Sequence, residues 1–178
     1  PLKPDVIMPT KVNGGAMIRE VSACMAEVER AAGIEEGTVK ILPLIETAMG
    51  VEKAFEIATA DARVIGLFLG GEDFTADLHC KRTKEGNEIF YARTRLVCAA
   101  RACGIEAYDT PFTDVEDMEG LEKDTEFAKS LGFAGKAVIS PRHVDIVNAV
   151  FSPTEAEIAY AHDVMDAIEE GKRQGKGV

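Results

Sequence analysis

The sequence has few of the residues that carry thiol, zinc or nucleophilic chemistry. Among 178 residues it has four cysteines and three histidines. No cysteines have CxxC spacing, and they lie among apolar or helix-forming residues, which favours reduced thiols over disulfides or zinc ligands. The histidines are too scattered for a ligand pair or a nucleophile's partner, and we expect them at surface or helix positions. We therefore predict neither a zinc site nor a catalytic triad.

Basic residues and long apolar runs are also in short supply. Lys and Arg number 20 against 31 Asp and Glu, so the formal net charge is −11. This charge opposes the phosphate backbone of nucleic acids and anionic membrane surfaces. No apolar run approaches the ~20 residues of a membrane span. We expect a cytoplasmic protein that has neither nucleic acid nor membrane as a partner.

The apolar pattern that is present predicts one α/β domain over residues 1–178. Hydrophobic residues make up 46% of the chain, and short apolar runs alternate with longer amphipathic segments, as in βα units of a parallel sheet. One such segment repeats Ile18, Val21, Met25 and Val28 at helical spacing, which predicts a core-facing stripe. Five strands are predicted: Asp5–Pro9, Val39–Ile45, Arg63–Leu69, Ile105–Asp109 and Lys136–Ile139. The longest irregular segment, Glu72–Gly86, follows directly on a strand and is therefore a candidate functional loop.

Three of the predicted strands are followed by a carboxylate at or near their ends. These residues are Glu46, Asp73 and Asp109. The carboxyl edge of a parallel sheet is where active sites form in α/β folds. A single acid there is equally well explained as the cap of the next helix, and this alternative stays open for Asp109. Two acids linked to a Gly-Gly turn are a stronger signal.

Glu46 and Asp73 together predict a site for a hard divalent cation. Carboxylate oxygens without nearby histidine or cysteine suit Mg²⁺, which keeps open positions for water or for the oxygens of an α-keto acid. The adjacent Gly70 and Gly71 would let the backbone approach a ligand closely and aim N–H groups at a carboxylate. The alternative for the glycine pair is a tight turn from strand to loop.

Four sequence blocks resemble the HpcH/HpaI aldolase family and, within it, the branch of citrate lyase beta subunits and related acyl-CoA lyases. The blocks are Ile7–Val12 (IMPTKV), Leu44–Gly50 (LIETAMG), Gly70–Phe74 (GGEDF) and Gly135–Pro141 (GKAVISP). Their order and spacing agree with the family throughout, so the resemblance covers nearly the whole chain.

The resemblance implies a Mg²⁺-dependent lyase on a (β/α)₈ TIM barrel, of which this chain supplies about strands four to eight. Such an enzyme cleaves a citryl thioester into oxaloacetate and an acetyl thioester, with coenzyme A or an acyl-carrier protein as the thiol. Glu46 and Asp73 match the family's two metal carboxylates, for which Mn²⁺ is a possible substitute. The backbone at Gly71, Glu72 and Asp73 would bind the keto-acid carboxylate. A homo-oligomer, a trimer by resemblance, and other lyase subunits are the expected protein partners.

Several alternatives stay open at this point. A malyl-CoA or citramalyl-CoA lyase would keep the same metal site and change the acyl pocket. An inactive fragment, or a subunit that takes strands one to three and the family's substrate-binding Arg from a partner chain, is a third hypothesis. Lys11 could form a Schiff base, as lysines do in other aldolases. The basic residues Lys81, Arg82 and Lys84 either meet thioester-carrier phosphates or form a solvated loop face.

Overall fold

The structure is a computed structural model that describes residues 3–175, so five terminal positions of the predicted 1–178 domain lie outside it. Its strands are all parallel where they pair. They are β1 (Val6–Ile7), β2 (Lys40–Ile41), β3 (Leu44–Ile45), β4 (Gly66–Leu69), β5 (Glu106–Asp109) and β6 (Gly135–Lys136). β1 pairs with β2, the other four pair in the order β3-β4-β5-β6, and a parallel bridge from Ile41 to Val64 joins the two groups.

Four of the five predicted strands lie within their predicted ranges and are shorter than predicted, whereas β6 shares only Lys136 with its predicted range. The strand predicted at Val39–Ile45 is divided into β2 and β3 at Pro43, which has no amide hydrogen to donate to a ladder. The carbonyl of Pro43 still accepts from the amide of Phe68, so the chain remains part of the sheet. The prediction that the last strand extends to Ile139 is wrong, because β6 ends at Lys136.

Eight helices and two short 3₁₀ turns lie between or after the strands of the described chain. The helices are α1 (Gly15–Ala31), α2 (Ala48–Glu52), α3 (Ala54–Ala58), α4 (Gly71–Asp77), α5 (Phe90–Ala102), α6 (Met118–Leu131), α7 (Val144–Phe151) and α8 (Glu155–Arg173). The 3₁₀ turns span Asn87–Ile89 and Pro141–His143. Local sequence sets their ends: the Asp117 side chain caps α6 by accepting from the Gly120 amide, and Gly132 ends it at a φ of 100°. None of the described helices combines the length and the apolar character that crossing a membrane requires.

Helix α4 contradicts the prediction of an irregular segment over Glu72–Gly86. The first turn of α4 contains Glu72 and Asp73, whose negative charges are favourable near a helix N-terminus. Phe74 is buried and anchors the helix against the core. Helix α4 is too short to show a periodic pattern in sequence, and only the part of the segment after it is irregular.

One face of the sheet packs against the helices. Alternate strand residues on this face, among them Ile45, Leu67, Leu69 and Ala107, are fully buried. Their neighbours on the opposite face, Leu44, Phe68 and Tyr108, are only partly buried. The strands are therefore not buried on both faces within the described chain. In α1, Ile18 and Met25 are buried as predicted, whereas Val28 is 61% exposed and borders an apolar cleft of about 450 Å³.

The parallel α/β class predicted from the sequence is confirmed. The eight-stranded barrel stays a prediction.

Candidate active site

Glu46 is the first of the predicted metal ligands, and it lies just after β3. The residue is 6% exposed. Its Oε1 accepts a hydrogen bond of 2.9 Å from the backbone amide of Lys11, which follows β1. The Leu44 amide donates to the carbonyl of Pro9, and the Leu44 carbonyl accepts from the amide of Val12. These two hydrogen bonds hold the ends of β1 and β3 together. The sheet therefore fixes the orientation of this carboxylate.

Asp73 is the second predicted ligand, and it lies in the first turn of α4. Its Oδ2 is 2.5 Å from the Nζ atom of Lys11, and the two side chains are 49% and 64% exposed respectively. Lys11 thus contacts both predicted ligands, Glu46 through its backbone and Asp73 through its ammonium. Both carboxylates therefore lie at the edge of the sheet where β3 and β4 end, and each contacts Lys11.

The ammonium of Lys11 is poorly suited to Schiff-base chemistry. The hydrogen bond to Asp73 and the charge of Asp73 raise the pKa of Lys11, and the charges of Glu46 and Asp77 act in the same direction. An amine nucleophile needs the opposite, a lowered pKa that leaves the nitrogen unprotonated. The arrangement is instead one in which acidic groups attract a cation.

Gly70 and Gly71 are not required for backbone conformation, because neither has a positive φ. They are required because a side chain at either position would have no space. A Cβ on Gly70 would lie 2.6 Å from Cβ and 2.8 Å from Oε2 of Glu46. A Cβ on Gly71 would lie 2.8 Å from Oγ1 of Thr110, which accepts a 2.9 Å hydrogen bond from the Gly71 amide. The glycine pair therefore lets the ends of β3, β4 and β5 come together. Thr110 is a site residue that no sequence pattern indicated.

The two carboxylates fit an ion that leaves part of its coordination shell to water or substrate. Among the residues that the structure describes, no group of three or more His, Cys, Asp and Glu could hold a metal ion. A closed structural zinc site needs four ligands, whereas Mg²⁺ is commonly bound through one or two carboxylates. Asp77 at the end of α4 is oriented toward α2 instead, because its Oδ2 accepts from the Ala48 amide at 2.8 Å.

Asp109, the third acid at a strand end, is turned away from Glu46 and Asp73. It alternates with Tyr108 and shares the face of Ala107, which α5 covers. Its carboxylate accepts from Arg93 Nε at 3.0 Å and Nη2 at 2.8 Å, and lies 2.6 Å from Lys136 Nζ. Arg93 therefore reaches inward from α5.

Asp124 of α6 completes a buried network of two acids and two bases. It lies 2.8 Å from Arg93 Nη2 and 2.6 Å from Lys136 Nζ. Burial raises the pKa of Asp124, but the charges of Lys136 and Arg93 outweigh burial and leave this pKa below its ordinary value. The network ties α5 and α6 to the ends of β5 and β6. It therefore fixes the strand end from which Thr110 reaches Gly71.

The basic residues of the loop after α4 are largely neutralised by neighbouring acids. Arg82 pairs with Glu88 at 2.7 Å, and Lys84 lies 2.6 Å and 2.8 Å from Asp114 and Asp117. Lys81 is exposed. This pairing weakens the interpretation of the cluster as a phosphate site.

The histidines and cysteines lie apart from the carboxylates of the site. His79 is exposed and His162 is an exposed residue of α8, as expected. His143 also lies in a helical segment, the 3₁₀ helix before α7, but it is buried there, with Nε2 3.4 Å from the carbonyl of Val115. The cysteines are free thiols. Ser140 caps the same turn by accepting from the Arg142 amide.

Comparisons with known proteins agree on one family. Residues 2–141 match the family described as HpcH/HpaI aldolase/citrate lyase. The chain is 44% identical over 174 residues to the citrate lyase subunit beta of Leuconostoc mesenteroides subsp. cremoris. The aligned region covers 98% of this chain and 58% of that protein. The chain is 32% identical over 182 residues to the mitochondrial citramalyl-CoA lyase of Rattus norvegicus, covering 98% and 54%.

A solved structure of a relative has the same fold. The citrate lyase beta subunit from M. tuberculosis, complexed with oxaloacetate and magnesium, aligns with a TM-score of 0.70 at 27% identity, over 84% of this chain and 62% of that chain. This chain therefore spans little more than half the length of the two relatives above.

Proposed function

The chain belongs to the HpcH/HpaI aldolase/citrate lyase family, and we propose that it acts as a Mg²⁺-dependent carbon–carbon lyase. The proposed reaction cleaves a citryl thioester into oxaloacetate and an acetyl thioester. The observation that carries the proposal is the convergence of Glu46 and Asp73 on one residue, Lys11. The 44% identical citrate lyase subunit beta and the relative solved with oxaloacetate and magnesium support it.

Glu46 and Asp73 are the residues that would hold the metal ion. Glu46 is buried and its orientation is fixed by the Lys11 amide, whereas Asp73 is half exposed at the start of α4. Bound between them, Mg²⁺ would supply positive charge that stabilises the oxyanion developing as the carbon–carbon bond breaks. Mn²⁺ prefers the same oxygen ligands and is an expected substitute.

The backbone from Gly71 to Asp73 is the proposed binding site of the keto-acid carboxylate. The first amides of a helix have no partners within the helix, and α4 begins at Gly71. The Gly71 amide is engaged by Thr110, so the amides of Glu72 and Asp73 are the ones available to an anion. The side chain of Glu72 is exposed and lies 3.5 Å from Arg82 Nε, so its part in binding is through its amide.

The bond changes define what the site must stabilise. The substrate hydroxyl loses its proton and becomes the keto group of oxaloacetate, and the electron pair of the cleaved bond passes to the thioester as an enolate. Protonation of the enolate then gives the acetyl thioester. Negative charge develops on the oxygen next to the keto-acid carboxylate, and the two predicted ligands and the α4 amides lie at one edge of the sheet to receive these groups.

A citramalyl-CoA or malyl-CoA lyase is the second candidate. The 32% identical citramalyl-CoA lyase favours the first of these. Both reactions leave a 2-oxo acid and an acyl thioester, so the same carboxylates and amides would serve. The identity of the thiol carrier, coenzyme A or an acyl-carrier protein, is part of the same proposal. The basic loop residues do not distinguish the two carriers, because most of them are paired with acids.

The remaining proposals concern the whole assembly. We place the chain in a TIM barrel to which it contributes about strands four to eight, within a cytoplasmic homo-oligomer, a trimer by family resemblance, that acts with other lyase subunits. The alternative hypothesis, that the chain is inactive or needs a partner chain for activity, predicts no keto-acid release from the chain alone.

A cleavage assay tests the proposed function. The purified protein is supplied with citryl-, citramalyl- and malyl-CoA and with citryl-acyl-carrier protein, with Mg²⁺ or with EDTA, and keto-acid release is measured. We expect Mg²⁺-dependent release of oxaloacetate from the citryl substrate. Preference for citramalyl-CoA would replace the substrate with that of the second candidate. Turnover that continues in EDTA after removal of bound metal would contradict the metal dependence.

A further inference from the structure

We propose that the ammonium of Lys11 is a built-in cation that holds Asp73 in the metal-free site and that must leave when a divalent ion binds. Lys11 then lowers the affinity of the site for metal. This inference rests on the proposed function, because it concerns the same two carboxylates.

The geometry places Lys11 where a metal ion would compete with it. Its Nζ lies 2.5 Å from Oδ2 of Asp73, and its own amide donates to Oε1 of Glu46 at 2.9 Å. Lys11 is the one salt-bridge partner of Asp73 within residues 3–175. A divalent ion shared by the two carboxylates would compete with this ammonium for Asp73.

The backbone of Lys11 is held in this place by its surroundings. Its φ is +52°, in the left-handed region that favours glycine. Pro9, two residues before Lys11, and Val12, directly after it, are both tied to β3. Leu44 donates to the carbonyl of Pro9 and accepts from the amide of Val12, and Val12 is fully buried. Because these neighbours are fixed, Lys11 keeps its unfavourable φ. The starting point of its side chain is therefore fixed as well.

The side chain of Lys11 is free to move away from Asp73. It is 64% exposed, so leaving Asp73 exchanges a partly solvated ion pair for full hydration. Exposed ion pairs are weak for this reason. The hydrogen bond from the backbone amide of Lys11 to Glu46 does not depend on the lysine side chain. The buried carboxylate of Glu46 therefore keeps its orientation when the ammonium leaves Asp73. The site is therefore arranged to exchange one cation for another.

Titration calorimetry with MgCl₂ tests the inference through affinity alone. Lys11→Met keeps the length of the side chain and removes its charge. We expect Mg²⁺ affinity to rise about 3- to 10-fold, because the ion no longer has to break an exposed ion pair and no longer meets a nearby positive charge. Lys11→Arg retains a cation and should bind Mg²⁺ about as the wild type does. Lys81→Met removes an exposed lysine of the loop after α4 and serves as the matched control.

Lysine labelling gives a second readout that does not depend on catalysis. The wild-type protein is acetylated briefly with and without MgCl₂, and modified residues are quantified by mass spectrometry. We expect Mg²⁺ to increase the labelling of Lys11 and to leave that of Lys81 unchanged. If the wild type binds Mg²⁺ but Lys11→Met binds it no more tightly, or if Mg²⁺ leaves Lys11 labelling unchanged, the inference is overturned and the metal site stands. If the wild type binds no Mg²⁺, the metal assignment itself fails, and the inference fails with it.

Discussion

The buried network around Arg93 provides the most quantitative prediction of stability. Arg93 and Asp109 are fully buried, and the network balances two positive against two negative charges. Arg93→Met keeps most of the side-chain volume but leaves two carboxylates to share the ammonium of Lys136. Removing one member of a buried ion pair costs about 3–5 kcal/mol, which is a large part of the ~5–15 kcal/mol that stabilises a typical domain.

This loss converts into a measurable shift of the melting temperature. For a chain of this length each kcal/mol corresponds to about 2–4 °C, so we expect Arg93→Met to melt about 6–20 °C below the wild type. Thermal unfolding followed by circular dichroism gives this shift, and urea unfolding gives the free energy. Asp124→Leu in the Arg93→Met background leaves Asp109 paired with Lys136, and we expect it to recover part of the loss.

A control in the same helix separates burial from charge. Arg101 pairs with Glu106 at 2.8 Å, but the two side chains are about half exposed. Arg101→Met should cost less than about 1 kcal/mol, because water screens the pair. A loss in Arg93→Met as small as that of Arg101→Met would refute the reasoning that the network is buried and stabilising.

Two further predictions concern Gly70 and the buried pair of Glu29 and Arg63. Gly70→Ala would force its Cβ against Glu46 and should cost about 1–3 kcal/mol of unfolding free energy in urea and weaken Mg²⁺ binding, whereas Gly14→Ala, with no contact below 3.5 Å, should do neither. The hydrogen bond from Arg63 lowers the pKa of Glu29 from 4.5 to about 2, so the stability from this pair is fully present above pH 4.5 and is lost as pH falls toward 2. Urea unfolding of Glu29→Gln should show a shallower decline over that range, and an unchanged decline would contradict the assignment.

The sequence predicted the strands and the principal acids because both depend on local patterns. Short apolar runs mark strands, and Glu46 and Asp73 follow two such runs, so their convergence needs only the rule that parallel strands end at one edge. The resemblance to the HpcH/HpaI family is confirmed by the match over residues 2–141. The orientation of Asp109 was also readable, since alternation places it on the face of Ala107.

The rest depends on contacts between distant positions. Arg93 and Asp124 are 31 positions apart, and in sequence Asp124 is one charge in a solvated helical run. Lys11 and Asp73 are 62 positions apart, and nothing local predicts the pairing of Lys11 with a metal ligand. The helix from Gly71 to Asp77 is too short for periodicity, so the segment was predicted to be irregular.

Magnesium binding by variants of the two ligands tests the central claim most directly. In calorimetric titrations we expect the wild type to bind Mg²⁺, and Glu46→Gln and Asp73→Asn each to weaken binding at least about tenfold, since even outer-shell changes at metal sites cost 10- to 100-fold. Glu72→Gln, next to Asp73 but exposed, should bind as the wild type does. Unchanged Mg²⁺ affinity in both Glu46→Gln and Asp73→Asn would contradict the assignment of the metal site.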